Sequence, residues 1–188
     1  MILISTERVP TSKQHRHAHF LLSRALKEFG VDYVMDVTPV TLGEHGKPSL
    51  AEHPEVHYNI SHADGIAAVA VSGSECGVDC ERVRAYRPSV LRRCFGGDER
   101  RAVEAAPESE RNLMFFRLWT LKEAYVKALG RGLSFPLRQA EFAFEGNRIL
   151  TGLSGCAFTQ YVVNGEFAVS VCELTDSRKQ HNVHFICV

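Results

Sequence analysis

Apolar residues recur at helical spacing near the start of the chain, with Ala18, Leu22, Ala25 and Phe29 on one face; this predicts a helix from about Thr11 to Phe29, ended by Gly30. Thr11 and Gln14 have the spacing of a capping box at its first turn. The turn-rich segment TLGEHGKPSL follows, and the pattern then changes to short apolar runs: VHYNI (56–60), IAAVAVS (66–72) and CGVDCERV (76–83), parted by the turns SHADG and GSE. Helical spacing returns after Pro88 and continues through SERNLMFFRLWTLKEAYVKALG (109–130), where Met114, Leu118, Leu121, Tyr125 and Ala128 form one stripe that stops at Gly130. AEFAFEG, CAFTQYVV and FAVSVCEL read as returning strands. Helix then strands, twice over, predicts an α+β protein of two similar small halves, each a helix packed on antiparallel strands, divided near residues 84–90 into 1–86 and 87–188.

Composition narrows the function classes. The 188 residues are 45% hydrophobic, enough for a core, and the 22 Lys and Arg balance 22 Asp and Glu. No global field advertises nucleic acid or a membrane surface, so an anionic ligand would be held by a local basic pocket. The six cysteines are scattered through apolar runs without C-x-x-C spacing, which predicts reduced core thiols. No apolar run approaches the roughly 18–20 residues of a membrane span, and MILISTERVP has too short an apolar core for a signal peptide; the expected location is the cytoplasm.

The chemistry begins with GVDCE (77–81). In a strand, Asp79 and Glu81 project to one side while Val78 and Cys80 face the other, where only a small apolar side chain is needed. Two adjacent carboxylates suit a hard divalent cation such as magnesium, which takes one or two carboxylates and keeps positions for water and phosphate oxygens. Exposed acids on an edge strand are the other reading of the pair. In the second helix Glu123 lies about 200° around from Leu121, away from the apolar stripe, and Lys127 follows at i+4. On a free surface that pair is worth only about 0.2–0.5 kcal/mol. If the halves pack together, it would face Asp79 and Glu81 across a cleft.

These segments resemble the 4'-phosphopantetheinyl transferases, particularly the monomeric surfactin-type and holo-acyl-carrier-protein synthase members. GVDCE resembles the family's G-[IV]-D-x-E segment and WTLKEAYVKALGRGL its W-x-x-K-E-[AS]-x-x-K-x-x-G segment; GKP (46–48) and YNISHADG (58–65) agree in order and spacing. The resemblance covers about residues 12–145 and implies a pseudo-dimeric α+β fold. It also implies magnesium-dependent transfer of 4'-phosphopantetheine from coenzyme A to a serine hydroxyl of an apo acyl or peptidyl carrier protein, releasing 3',5'-ADP. By the resemblance, Asp79, Glu81 and Glu123 match the magnesium ligands, with manganese a possible substitute. For the chemistry itself, Lys127 is the candidate to stabilise charge developing on the pyrophosphate and Glu123 the candidate to accept the serine proton, directly or through a metal-bound water. Lys47 and Pro48 match the segment against the adenine, and Ser61 and His62 match contacts to coenzyme A phosphates. Lys122 and Lys127 match helix lysines near the phosphates, Asp79 lies by the cofactor, and Arg16, with Arg24 after it, matches a position near the 3'-phosphate.

Family members usually carry an earlier strand and basic residues that help hold the 3'-phosphate, whereas here only about ten residues precede the first helix; Lys13, His15, Arg16 and His17 are candidates to compensate. His15 and His19 stand at i and i+4, the spacing of two metal ligands, without a third evident nearby. Arg87, Arg92, Arg93, Arg100 and Arg101, with Leu91 and Phe95 among them, form a candidate surface for an acidic carrier helix. With both halves of the cleft in one chain, a monomer is expected. The alternative function is a non-catalytic relative that binds coenzyme A or a carrier protein.

Overall fold

The computed structural model describes residues 1–7, 9–175 and 185–187. Its first helix, α1 (Thr11–Lys27), follows β1 (Ile2–Ser5), a strand too short to announce itself in the sequence because only pairing with β5 makes it one. The first helical residue is Thr11 and the capping position is Pro10, so the cap expected from Thr11 and Gln14 is displaced by one residue; Thr11's side chain lies outside the described ones. Inside the turn-rich segment, β2 (Val40–Leu42) and β3 (Pro48–Leu50) form an unexpected hairpin. Strands β4 (His57–Ala63), β5 (Ile66–Ser72) and β6 (Cys76–Arg82) lie where the apolar runs place them.

The second helical stretch is three helices. Pro88, suited to a first turn by its fixed φ, opens α2 (Pro88–Cys94), and α3 (Gly97–Ala105) follows the glycine pair at 96–97. Pro107 separates α3 from α4 (Arg111–Leu129), which Gly130 ends in the left-handed conformation at φ 63°. Short 3-10 turns (Gly132–Ser134 and Leu137–Gln139) lead to the hairpin β7 (Phe142–Glu145) and β8 (Arg148–Thr151), then to β9 (Cys156–Val163), β10 (Phe167–Leu174) and β11 (Phe185–Cys187).

Two main sheets result, in strand order β11-β1-β5-β4 and β6-β10-β9. They pack face to face, with Ile66, Ala68 and Ala70 of β5 against Val78, Cys80, Val169 and Val171. The alternate residues of β5, Ala67, Val69 and Val71, meet Leu21, Leu22, Ala25 and Leu26 of α1. Covering on both faces explains why IAAVAVS is apolar throughout rather than alternating. On the outer face of the second sheet, α4 packs through Leu118, Leu121, Ala124 and Ala128 against Ala168 and Cys172. The molecule is thus layered helix, sheet, sheet, helix, an α+β fold of two helix-on-sheet halves. Strands distant in sequence are paired across the two sheets: β6 pairs antiparallel with β10, and β11 pairs parallel with β1.

Cys76, Cys80 and Cys172 are buried thiols and Cys94 and Cys156 half-buried ones, none in a disulfide; Cys187's side chain lies outside the described residues. Among the described residues no helix is long and apolar enough to cross a membrane.

Candidate active site

The edge strands β4 and β6 belong to different sheets and run side by side, joined by side chains rather than by a backbone ladder. Asn59 Oδ1 accepts from the Val78 amide at 2.9 Å, and Ser61 Oγ accepts from the Cys80 amide at 3.2 Å. These bonds fix β6 so that Val78 and Cys80 enter the core between the sheets and Asp79 turns toward α4, as strand alternation requires. Gly77 lets the helix approach: a Cβ there would stand 2.1 Å from the Ala124 carbonyl oxygen and 2.3 Å from the Ala128 amide nitrogen. Without a side chain at 77, the turn of α4 carrying Glu123 and Lys127 lies directly over Asp79.

Lys127 Nζ donates to Asp79 Oδ1 at 2.7 Å, to Ser61 Oγ at 3.1 Å and to the Val78 carbonyl at 3.1 Å. Ser61 also donates to Asp79 Oδ1, at 3.1 Å. Asp79 is only 6% exposed, and its other oxygen, Oδ2, is buried with no hydrogen-bond partner among the described residues. An unpaired carboxylate oxygen in such a place is costly unless a ligand completes it. Beside it, burial pushes the Glu123 carboxyl up to about 7; the Asp79 and Glu81 carboxylates add to the rise, and Lys127 opposes it. Glu81 is turned outward onto Arg84, at 2.7 Å.

This donor set suits a hard cation: three carboxylates from two facing elements, one with an oxygen that has no partner among the described residues. Asp79, Glu81 and Glu123 do not form a ready-made site, since among the described residues no three His, Cys, Asp or Glu side chains are gathered closely enough to hold an ion.

The sequence pattern of the 4'-phosphopantetheinyl transferase superfamily matches residues 75–172, slightly more than half of the chain. The chain belongs to this superfamily. It is similar to a 4'-phosphopantetheinyl transferase of Bacillus subtilis, 27% identical over 147 residues that cover 74% of this chain and 66% of the relative. A 4'-phosphopantetheinyl transferase of Aneurinibacillus migulanus is 33% identical over 94 residues, 50% of this chain and 39% of that one. Among solved structures, the holo-[acyl-carrier-protein] synthase of Thermotoga maritima aligns with a TM-score of 0.46 at 22% identity, over 54% of this chain and 63% of that one. The chain therefore spans less than two thirds of the length of these relatives.

The superfamily match runs from the residue before β6 to within β10, so it includes Asp79, Glu81, Lys122, Glu123 and Lys127 but not Arg16, Lys47, Pro48, Ser61 or His62. Of these others, geometry brings Ser61 into direct contact with Asp79 and Lys127, and sets His62 near enough to feel the Lys127 charge. Lys47 is committed elsewhere: Nζ is held by Glu75 at 2.5 Å and by the carbonyls of Cys76 at 3.0 Å and Ala128 at 2.8 Å, while its stem lies against Gly130. Pro48 lines two hollows of about 280 and 450 Å³ on either side of β3, the larger shared with His62. Arg16 stands exposed on α1.

Lys122 is not brought to the cleft, against the expectation that it lies near phosphates. Its side chain is fully buried on the opposite side of α4, paired with Glu99 at 2.8 Å and donating to the carbonyls of Leu137 and Ala140. The proposed carrier surface is corrected too: Arg92 and Arg93 are exposed, but Leu91 and Phe95 are in the core and offer no apolar contact. Sequence reasoning missed Asn59, whose signal was its alternation with Ser61 in NIS: both point from β4 toward β6.

Proposed function

We propose that this chain transfers the 4'-phosphopantetheine group from coenzyme A to a serine hydroxyl of an apo acyl or peptidyl carrier protein, releasing 3',5'-ADP. The observation that carries this reading is the convergence of Lys127 and Ser61 within 3.1 Å on one oxygen of Asp79 while the other, buried, has no partner among the described residues, beside Glu123, whose carboxyl burial pushes up. Asp79, Glu123 and a released Glu81 would hold magnesium, or manganese in its place. Bound there, the ion would neutralise charge on the pyrophosphate oxygens of coenzyme A.

The chain's own groups supply the rest. Lys127, already aimed into the cleft, donates to a pyrophosphate oxygen as negative charge grows on the leaving side. Ser61 and His62 line the path of the phosphates and orient them. Glu123, on the α4 wall of the cleft, accepts the proton that the carrier serine loses as its oxygen bonds to the β-phosphorus and the bond to 3',5'-ADP breaks. Both walls of the cleft come from one polypeptide, which supports a monomer as the working form, acting in the cytoplasm. A division of the chain into halves 1–86 and 87–188, with β6 and β11 crossing over, belongs to the same reading.

Incubation of apo-carriers of fatty-acid, polyketide and peptide-synthetase types with this protein, coenzyme A and magnesium, followed by intact-mass spectrometry, tests the proposal. The expected result is the mass gain of one phosphopantetheine group on at least one carrier. Unchanged masses across all three types would overturn it.

A further inference from the structure

Strand β9 is the outer edge of the second sheet, at the opposite side from β6 and Asp79. Its eight residues, CAFTQYVV, pair with β10 in continuous register, and on the far side no strand adjoins it among the described residues. Half of its backbone N–H and C=O groups therefore point away from β10. Edges of this length are usually blunted by lysine, proline or a bulge, and this one has none of them. Instead a hollow of about 650 Å³ runs beside it, with residues 158–162 of β9 on one side and Asn147, Arg148 and Ile149 of the β7–β8 hairpin on the other. Consecutive residues of a strand face opposite ways, so a hollow lined by an unbroken run of them lies along the edge, against the backbone itself.

A prepared cation faces this groove. Arg117 of α4 lines it, half-buried, with Cζ 3.9 Å from the centroid of the Phe144 ring and Nε donating to Gln160 Oε1 at 2.8 Å. Gln160 is fixed in turn, donating from Nε2 to the Arg117 carbonyl at 2.7 Å and to Ser170 Oγ at 2.8 Å. The guanidinium is thus oriented, while neither Nη has a hydrogen bond or a carboxylate partner among the described residues. Burial alone acts on its pKa, lowering it, and no acid offsets the loss of water. No Asp or Glu lines the groove; Arg148, at the rim, stands 3.9 Å from the exposed Glu145. Such a fork matches a carboxylate through two parallel N–H···O bonds.

We propose that the β9 edge and Arg117 form a docking groove for an extended, acidic segment of a partner protein, which adds to the sheet as a strand and sets one Asp or Glu side chain on Arg117. The backbone edge holds any extended chain; Arg117 selects the acidic one. A second copy of this chain does not meet that requirement, because β9 carries no acid and edge-to-edge pairing would leave Arg117 of both copies unanswered. The groove lies across the sheet from Asp79, so it is filled without closing the cleft, and its chemistry does not depend on the reaction proposed above.

A phage-displayed library of random dodecapeptides, selected on the full chain in the presence of excess coenzyme A, tests this. The selected peptides should share an Asp or Glu flanked by residues of high strand propensity. By calorimetry, a selected peptide should bind about tenfold more weakly once its acid is replaced by Asn or Gln, the loss expected of a charged hydrogen-bonded pair. Arg117→Gln should bring the acidic peptide to the level of its neutral twin and leave the twin unchanged. In hydrogen exchange followed by NMR on the unaltered protein, the bound peptide should protect alternate amides of β9, those pointing away from β10, a readout that needs no variant to fold. No enrichment, selection without a shared acid, equal affinity of the acidic and neutral forms, or protection away from β9 would each overturn the proposal. Dimerisation in sedimentation with the same β9 protection and no peptide would overturn the partner and give the edge to a second copy.

Discussion

Helix α4 carries two lysine–carboxylate pairs on opposite faces, and they differ in completeness. Lys122 and Glu99 are 0% and 1% exposed, and every strong bonding position is used: Glu99 also accepts from the amides of Gly96 at 2.8 Å and Phe142 at 3.0 Å, and Lys122 caps two carbonyls. That pair ties α3, α4 and β7 together. Lys127 and Asp79 are also close, yet Asp79 keeps one buried oxygen without a partner among the described residues, and burial pushes the carboxyl of Glu123 beside it up to about 7. A closed ion pair belongs to the scaffold. An open one, where polar groups are assembled and left unfinished, marks the place where a ligand completes the structure.

The largest effect separating the two faces should be catalytic. Glu123→Gln removes both the proton acceptor and a cation ligand, and transfer to an apo-carrier should fall about 10² to 10⁴-fold at saturating magnesium with the circular dichroism spectrum unchanged. Recovery of the rate on adding more magnesium or manganese would make Glu123 a ligand only.

On the other face the effect should be on stability. Lys122→Met leaves Glu99 ionised and buried without its cation, and urea denaturation should show a loss of about 3–5 kcal/mol. Adding Glu99→Gln removes the buried charge but keeps an acceptor for only one of the Gly96 and Phe142 amides, which donate to different oxygens, so it should restore part of that loss. A single Lys122→Met variant as stable as the parent would erase the distinction drawn between the faces.

The smallest effect reads the open pair through pH. The folded-state pKa of Glu123, about 7, lies above its ordinary value of 4.5, so the fold favours the protonated acid. Stability is therefore undiminished below about 4.5, declines as pH rises toward 7 and is level above it, a total of about 1–3 kcal/mol from this group. Thermal melts of the metal-free protein should show this slope flattened in Glu123→Gln, with the variant more stable than the parent at pH 8. An unchanged slope would mean that Glu123 is not strained by its neighbours.

Much of this was legible in the sequence where local pattern and tertiary role agree. β5 and β6 follow their apolar runs, and Asp79, Glu123 and Lys127 meet because strand alternation and helical spacing fix their directions. β1 and β11 were not legible, since three or four extended residues become strands only through a partner distant in sequence. Lys122 misled for a related reason: nothing local shows that Glu99, from another helix, waits for it in the core. Lys47 is similar, because its ties to Glu75 and to the end of α4 depend on how β3 comes to rest beside them.

The contact at Gly77 has a mechanical meaning. Backbone touches backbone there, so β6 and α4 behave as the fixed jaw of a caliper, its gap set by main-chain atoms rather than by adjustable side chains. The opposite jaw is held differently, with β4 tied to β6 through the side chains of Asn59 and Ser61 and α1 behind it. Asp79, Glu123 and Lys127 are thus mounted where main-chain contact sets the spacing, while Ser61 reaches them from a wall held by side chains.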